Sequence, residues 1–239
     1  MSDRHTTRPE WAGAPPDVDL GRVWGAVAAE VWRRQPSWLE RRTARLLGSP
    51  GLARALLTTP SLFAAWLIST VVVFGVGAAA TAGTDQPLVA LLAPAVAGAG
   101  IAYAYGPGMD PAWELSCSMA VSDRMVLLVR AVTVFAVNAG LGLAASAASG
   151  LALSITFGWL VPMTAVSALA LAMATVARSA NVGVAAGMAG WAITVLAAQT
   201  SSGQWSAAVT NSALVAPYLI FAACCAAVVV LATRVPRGA

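Results

Sequence analysis

The chain has 239 residues, of which 59 % are hydrophobic and only 10 % are charged, whereas a typical soluble domain carries about 25 % charged residues. Its formal charge is +4, there is no lysine, and His5 is the single histidine. This composition excludes an ordinary water-soluble enzyme, a Walker A phosphate loop, a lysine Schiff base and an H-E-x-x-H zinc site.

The positions of the cysteines and the arginines further restrict the class of protein to which the chain can belong. Cys117, Cys224 and Cys225 lack the C-x-x-C spacing of metal and redox motifs, so we expect neither a metal site nor a disulfide framework. Nine of the fourteen arginines lie within residues 1–54, interleaved with tryptophans and directly before long apolar runs. That distribution is typical of a membrane surface, so it indicates membrane lipid as a partner and not nucleic acid.

The N-terminal quarter of the chain is too polar to cross a membrane. Residues 1–17 form a polar, proline-rich leader that we expect to be disordered, and it lacks the apolar core of a signal peptide. Apolar residues in 19–34 recur on one helical stripe, which predicts an amphipathic helix on the inner leaflet. A capping box at Ser37 then predicts a second short helix that stops at Gly48. We therefore assign residues 18–58 to interfacial helices, a small soluble helical hairpin being the alternative.

The rest of the chain is dominated by apolar runs. A helix needs about 20 apolar residues to cross a bilayer core of about 30 Å, and six segments meet this requirement. The predicted transmembrane helices are 61–82, 88–106, 125–149, 151–176, 182–198 and 214–233. Pro94, Pro162 and Pro217 predict kinks in three of them, and Gly183 and Gly187 predict close helix packing. Residues 59–235 are thus predicted to be an all-α, six-helix transmembrane domain.

The arginines outside the N-terminal region predict the orientation of this bundle. If the six spans alternate in direction, all of these arginines fall on the side of the N terminus. They are Arg124, Arg130, Arg178, Arg234 and Arg237. The positive-inside rule then predicts that both termini are cytoplasmic.

Polar residues are scarce within the predicted spans. All ten acidic residues lie outside them, whereas proton- or sodium-driven transporters usually carry an ionisable or coordinating group near the membrane midplane. Any uphill transport would therefore take its energy from another chain. Asn138 is the one strongly polar residue in the interior of a span; it lines a substrate path in one interpretation and makes an interhelical hydrogen bond in the other.

The cytoplasmic stretch 106–124 is too long for a tight turn. Asp110 and Pro111 have the pattern of a helix start, and Ser122 can cap the next span. Between them the sequence predicts a short amphipathic helix that could rest in a groove of a partner protein. This helix carries Trp113, Glu114, Leu115 and Met119.

This stretch resembles the intracellular loop of type-2 ATP-binding cassette (ABC) exporter permeases, in which an acidic residue and leucine precede a small-residue-Val-Ser turn and a long span with an early basic residue. The residues that carry the resemblance are Glu114-Leu115, Ala120-Val121-Ser122 and Arg124 or Arg130. The Asp110-Pro111-x-x-Glu114-Leu115 run is similar, more narrowly, to permeases of actinobacteria. One departure is that the family often has two re-entrant half-helices before the last span, where this chain offers only the 15 residues 199–213.

The resemblance implies the permease subunit of an ATP-driven ABC exporter in a bacterial cytoplasmic membrane, which moves a hydrophobic or amphipathic substrate outward by alternating access. It implies a second permease subunit, with a homodimer expected, and a separate cytosolic ATP-binding subunit that holds ATP and Mg²⁺. This chain itself would then carry no cofactor and no catalytic residue. The residues expected to couple it to the ATPase are Asp110, Trp113, Glu114, Leu115, Met119 and Ser122. A non-transporting membrane scaffold or regulatory protein is the alternative, and an intramembrane enzyme is a third hypothesis without evident catalytic residues.

Overall fold

The computed structural model describes residues 19–33, 37–48, 50, 53, 60–84, 86–103, 123–150 and 153–234. Regular structure in these ranges is entirely helical, and no strand occurs within them. The predicted leader and the predicted coupling helix lie outside the described residues.

The described helices follow one another in chain order, with one 3₁₀ turn (Ser212–Leu214) before the last. They are α1 (Leu20–Arg33), α2 (Trp38–Leu47), α3 (Pro60–Thr84), α4 (Leu88–Tyr103), α5 (Asp123–Ala148), α6 (Leu153–Gly158), α7 (Leu160–Ala177), α8 (Ala180–Ser202), α9 (Ala207–Thr210) and α10 (Val215–Arg234). Helices α3, α5, α7, α8 and the segment from Ser212 through α10 are each long and apolar enough to cross a membrane. The described part of the chain is therefore all-helical, and its long apolar helices fit a polytopic membrane protein.

Helix α4 is the shorter apolar helix of the bundle. Its 16 described residues rise about 24 Å at about 1.5 Å per residue, less than a bilayer core of about 30 Å. It begins at Leu88, as predicted, and residues 104–106 at its predicted end lie outside the described part of the chain.

The two polar helices begin where the sequence predicts. At the start of α1, the backbone N–H of Arg22 donates to Oδ1 of Asp19 at 3.0 Å. At the start of α2, Oγ of Ser37 accepts a 3.1 Å hydrogen bond from the backbone N–H of Glu40, and Gly48 ends the helix in the left-handed conformation with φ 64°. The capping prediction for α2 is confirmed, because the side chain satisfies one of the N–H groups that a helix start leaves unpaired.

The predicted fourth span, 151–176, is interrupted in the structure. Helix α6 ends at Gly158, Trp159 forms a turn, and α7 begins at Leu160. Pro162 supplies the physical reason, because proline has no N–H to donate to the carbonyl of Gly158 and its ring clashes with that carbonyl. Where the sequence predicted a kink at Pro162, one residue, Trp159, thus separates α6 from α7.

The kink predicted at Pro217 does not fit the position of this residue in its helix. It is the third residue of α10, in the first turn, where backbone N–H groups have no partner within the helix anyway. It therefore favours the start of α10 and does not kink a span. Pro94, in contrast, lies inside α4.

Helix α7 is central to the bundle, since it packs against α4, α8 and α10, and 56 % of its residues are buried. The predicted close packing at Gly183 and Gly187 is confirmed within the chain. A Cβ on Gly183 would lie 2.5 Å from the carbonyl oxygen of Ala170, and one on Gly187 would lie 3.1 Å from the Cβ of the same alanine. These glycines let the backbones of α7 and α8 approach closely.

Candidate functional site

The predicted coupling residues fall in a stretch whose structure is not described, residues 104–122. They are Asp110, Trp113, Glu114, Leu115, Met119 and Ser122. Their docking role stays a prediction. Asn138, the other predicted site residue, lies in α5 and is described.

Asn138 is completely buried, with 0 % of its side chain exposed. Its Nδ2 donates a 2.8 Å hydrogen bond to the carbonyl oxygen of Val134, one turn earlier in the same helix. Its Oδ1 has no hydrogen-bond partner among the described residues. The amide therefore makes no interhelical hydrogen bond there, and an acceptor atom stays unpaired inside an apolar bundle.

Trp159, in the turn between α6 and α7, packs its ring against α5 at Gly142. A Cβ on Gly142 would lie 2.7 Å from Cη2 and 3.0 Å from Cζ2 of that ring, so only glycine accommodates the ring at this distance. Trp159 is itself 0 % exposed, and its indole Nε1 has no partner among the described residues. The unpaired donor thus belongs to a ring that contacts α5 at Gly142, one turn along the helix from Asn138.

Ser146, a further turn along α5, is also 0 % exposed. Its Oγ has no partner among the described residues. Several other hydroxyls of the bundle are satisfied locally: Oγ1 of Thr133 and Oγ1 of Thr175 donate to carbonyls four residues earlier, at 2.8 and 2.7 Å. This local bond is the usual solution for a hydroxyl in an apolar helix. Ser146 departs from it, as does Ser167 in α7, whose Oγ is also buried without a partner among the described residues.

Asn138, Gly142, Ser146 and Trp159 together form what we call the Asn138 site. Residues 138, 142 and 146 share one face of α5 because positions four apart are neighbours on a helix surface. The spacing of Ser146 from Asn138 was therefore visible in the sequence. Trp159 carried no such signal, since its place depends on how the turn after α6 folds back onto α5.

Beside the Asn138 site, the connection between α8 and α10 folds onto the turn that holds Trp159. A Cβ on Gly158 would lie 3.2 Å from the carbonyl oxygen of Val209 in α9, which is buried. The hydroxyl of Tyr218 in α10 donates a 2.9 Å hydrogen bond to the carbonyl oxygen of Ala208. Helix α9 is thus held against this turn, and it closes that end of the bundle over Trp159.

Charge is sparse around the site. Within α5 the basic residues are Arg124 and Arg130. Arg130 lies two turns from Asn138 and already interacts with another group of the protein. Among the residues that the structure describes, no group of three or more His, Cys, Asp and Glu side chains could hold a metal ion.

The arrangement offers hydrogen bonding within an apolar enclosure. Asn138 supplies an acceptor, Trp159 a donor, and Ser146 a hydroxyl that can act as either. A polar group left unpaired in such surroundings costs about 1–3 kcal/mol, so a molecule that pairs with these atoms would gain from entering.

Comparison with protein-family models, with curated proteins and with solved structures found no match to this chain.

Proposed function

We propose that this chain is the membrane-spanning permease subunit of an ATP-driven ABC exporter, and that the Asn138 site lies on its substrate path. The observation that carries the proposal is the presence of three fully buried side chains whose polar atoms have no partner among the described residues. Asn138 and Ser146 lie on one face of α5, and the ring of Trp159 packs against that helix at Gly142. A static bundle gains nothing from such atoms, because each lowers the stability of the closed state. A transporter gains from them, since its substrate can supply the missing partners.

The proposal assigns the energy source to another chain. No acidic residue lies in α3, in α4 or between Leu160 and Thr233. These apolar helices therefore have no carboxylate that could exchange a proton or hold a sodium ion. The loop 106–124 supports the same conclusion, because it resembles the coupling helix of type-2 ABC exporter permeases. Trp113 and Met119 would supply apolar anchors and Glu114 the polar contact to a cytosolic ATP-binding subunit that carries ATP and Mg²⁺.

The proposed topology adds α4 to the five longer apolar helices, which gives six transmembrane helices, and it places both termini in the cytoplasm of a bacterial cell. Arg178, at the C-terminal end of α7, supports this assignment, since it is exposed and would lie at the cytoplasmic headgroups. The exposed Leu20 and Trp24 of α1 would rest on the inner leaflet. In α2, the guanidinium of Arg42 lies 5.7 Å from the ring of Trp38, which suits the same interface.

The proposed mechanism is alternating access in a dimer of two permease subunits. In the proposed mechanism this conformation is a closed one. Helix α9 lies against Gly158, Trp159 is buried, and together they would block access to the Asn138 site from the end of the bundle where α8 connects to α10. Movement of the ATPase would pull the coupling helix and shift α5, which begins at Asp123 directly after it. Such a shift would separate Gly142 from Trp159 and expose the unpaired atoms to a substrate.

The test is affinity purification of the full chain from its native membranes, followed by measurement of ATP hydrolysis. We expect an ATP-binding subunit to copurify, and Glu114→Arg to reduce both its recovery and the hydrolysis that depends on this chain. Asp85→Arg is the matched control, because it makes the same charge change in the loop expected on the opposite side. Recovery of the chain without an ATPase, with Glu114→Arg indistinguishable from Asp85→Arg, would favour the scaffold alternative.

A further inference from the structure

We propose that the Asn138 site selects neutral amphiphiles whose polar group both donates and accepts a hydrogen bond, such as an alcohol or an amide with an apolar chain. This inference rests on the proposed function for its biological setting. The evidence for the ligand class, which is the chemistry of the unpaired atoms, is independent of the proposed function.

The selection for both a donor and an acceptor comes from the pair Asn138 and Trp159. An amide oxygen can only accept, so Oδ1 of Asn138 requires an N–H or O–H from the ligand. An indole N–H can only donate, so Nε1 of Trp159 requires an oxygen or another acceptor from the ligand. A hydroxyl or an amide meets both requirements at once, whereas an ether or ester meets only the second.

The selection against charge comes from the surroundings. Both side chains are fully buried, and a buried ion without a counter-ion costs far more than a buried neutral dipole. Apart from Asp123, the first residue of α5, a cation would find no acidic side chain in α5 or α7, and the arginine nearest along α5, Arg130, already has an interaction within the protein. A neutral polar group therefore fits the site better than a carboxylate or an ammonium group.

The apolar part of the ligand is indicated by the neighbours of Trp159. Its ring belongs to a buried cluster with Met163, Ala208 and Val209. When the turn at Trp159 moves, these side chains offer a hydrocarbon surface beside the unpaired atoms. An alkyl chain attached to the hydroxyl or amide would cover that surface and gain roughly 0.8 kcal/mol per buried methylene group.

The experiment uses the full chain reconstituted in lipid nanodiscs and two probes that differ in one group. The first is an octanol with a photoreactive diazirine on its chain; the second is its methyl ether, which retains the acceptor oxygen but lacks the donor. After irradiation, mass spectrometry quantifies adducts on 139–146 and 159–163. Adducts on Val132, which is 66 % exposed, report how much of each probe is in the membrane.

We expect the alcohol to label the site about tenfold more than the ether, after normalisation to Val132, because a hydrogen bond to a buried acceptor is worth about a factor of ten. Asn138→Leu should bring this ratio close to one. Thr133→Val is the matched control on α5: its hydroxyl is already bonded to Val129, so the ratio should be unchanged. Trp159→Phe keeps an aromatic ring but removes the donor, and it should reduce labelling by both probes.

Equal labelling by alcohol and ether in the unmodified chain would overturn the inference. So would a preference for the alcohol that survives both Asn138→Leu and Trp159→Phe, and these two variants alter the site independently if one of them fails to fold. Because the labelling requires neither ATP nor a partner chain, its outcome is separable from the proposed function. Selective labelling without an associated ATPase would retain the ligand class and reject the exporter, whereas an ATPase-driven chain without selective labelling would do the reverse.

Discussion

The indole Nε1 of Trp191 in α8 donates a 2.8 Å hydrogen bond to the backbone carbonyl oxygen of Leu91 in α4, one hundred residues earlier in the chain. Leu91 lies three residues before Pro94, in a turn whose hydrogen bonding the proline disturbs, because proline has no N–H to donate to the carbonyl of Ala90. The bond therefore joins α8 to α4 in the turn that precedes Pro94. Trp159 provides the contrast, since its Nε1 is buried without a partner among the described residues.

These two tryptophans give a matched pair of substitutions. Trp191→Phe removes a hydrogen bond and leaves a buried acceptor, so we expect the free energy of unfolding to fall by about 1 kcal/mol more than for Trp159→Phe. Both changes remove the same atoms from a buried ring, and their difference isolates the hydrogen bond. Titration of the detergent-solubilised protein with sodium dodecyl sulfate, followed by circular dichroism, measures it. Equal losses would show that the Leu91 contact contributes no stability.

Gly142 is expected to be sensitive to the smallest enlargement. Gly142→Ala would place a Cβ 2.7 Å from Cη2 of Trp159, and we expect it to lower the free energy of unfolding by about 1–3 kcal/mol because the ring must shift. Gly140→Ala, on the same helix with nothing within 4 Å of the added atom, should be neutral or stabilising by up to about 1 kcal/mol. The same detergent titration compares them, and a loss at Gly140 as large as at Gly142 would contradict the packing described here.

A larger residue should be tolerated less well at Gly183 than at Gly142, because the atom nearest to the added Cβ belongs to the backbone. Gly183→Ala would bring a Cβ within 2.5 Å of the carbonyl oxygen of Ala170, which cannot rotate away, so α7 and α8 would have to separate. We expect a greater loss of stability than at Gly142, and a lower midpoint temperature of thermal aggregation. Gly75→Ala in α3, with open space around the added atom, is the control. An unchanged midpoint for Gly183→Ala would show that the two helices do not pack this closely.

Ser37 should control the start of α2. Ser37→Ala removes the acceptor for the backbone N–H of Glu40 and is expected to destabilise the helix by about 1 kcal/mol. Hydrogen–deuterium exchange at residues 40–42 should accelerate roughly fivefold, with no change in α7. Ser37→Asp retains a capping oxygen and should keep the original exchange rate; acceleration in this variant too would indicate that the cap is not the cause.

The sequence predicted the features of this fold that depend on local spacing. The cap at Ser37, the stop at Gly48 and the start of α4 at Leu88 follow from rules that act over a few residues. The apolar helices were likewise visible, because a stretch that must satisfy its own backbone in lipid has a distinctive composition. The end of α8 was placed too early, at 198 instead of Ser202, since polar residues such as Gln199 resemble a loop when their position in the helix is unknown.

The features that the sequence did not predict depend on contacts between distant residues. Pro162 was visible, but the packing of Trp159, in the turn just before it, against Gly142 was not. Asn138 was identified as a polar residue in the interior, yet its two interpretations differ only in whether another helix supplies a partner. For the same reason Trp159 was not expected in the site, because nothing near it in the chain indicates that α5 is its neighbour.

Crosslinking from the loop 106–124 asks whether an external ATPase drives this bundle through that loop. A photoreactive amino acid at position 113, in the full chain in its native membranes, reports which protein lies against it, and the same group at position 85 serves as the control for the opposite side. We expect an adduct with a nucleotide-binding ATPase subunit from position 113 and none from position 85. Adducts from position 113 with lipid alone, in membranes where the chain still moves its substrate, would contradict it.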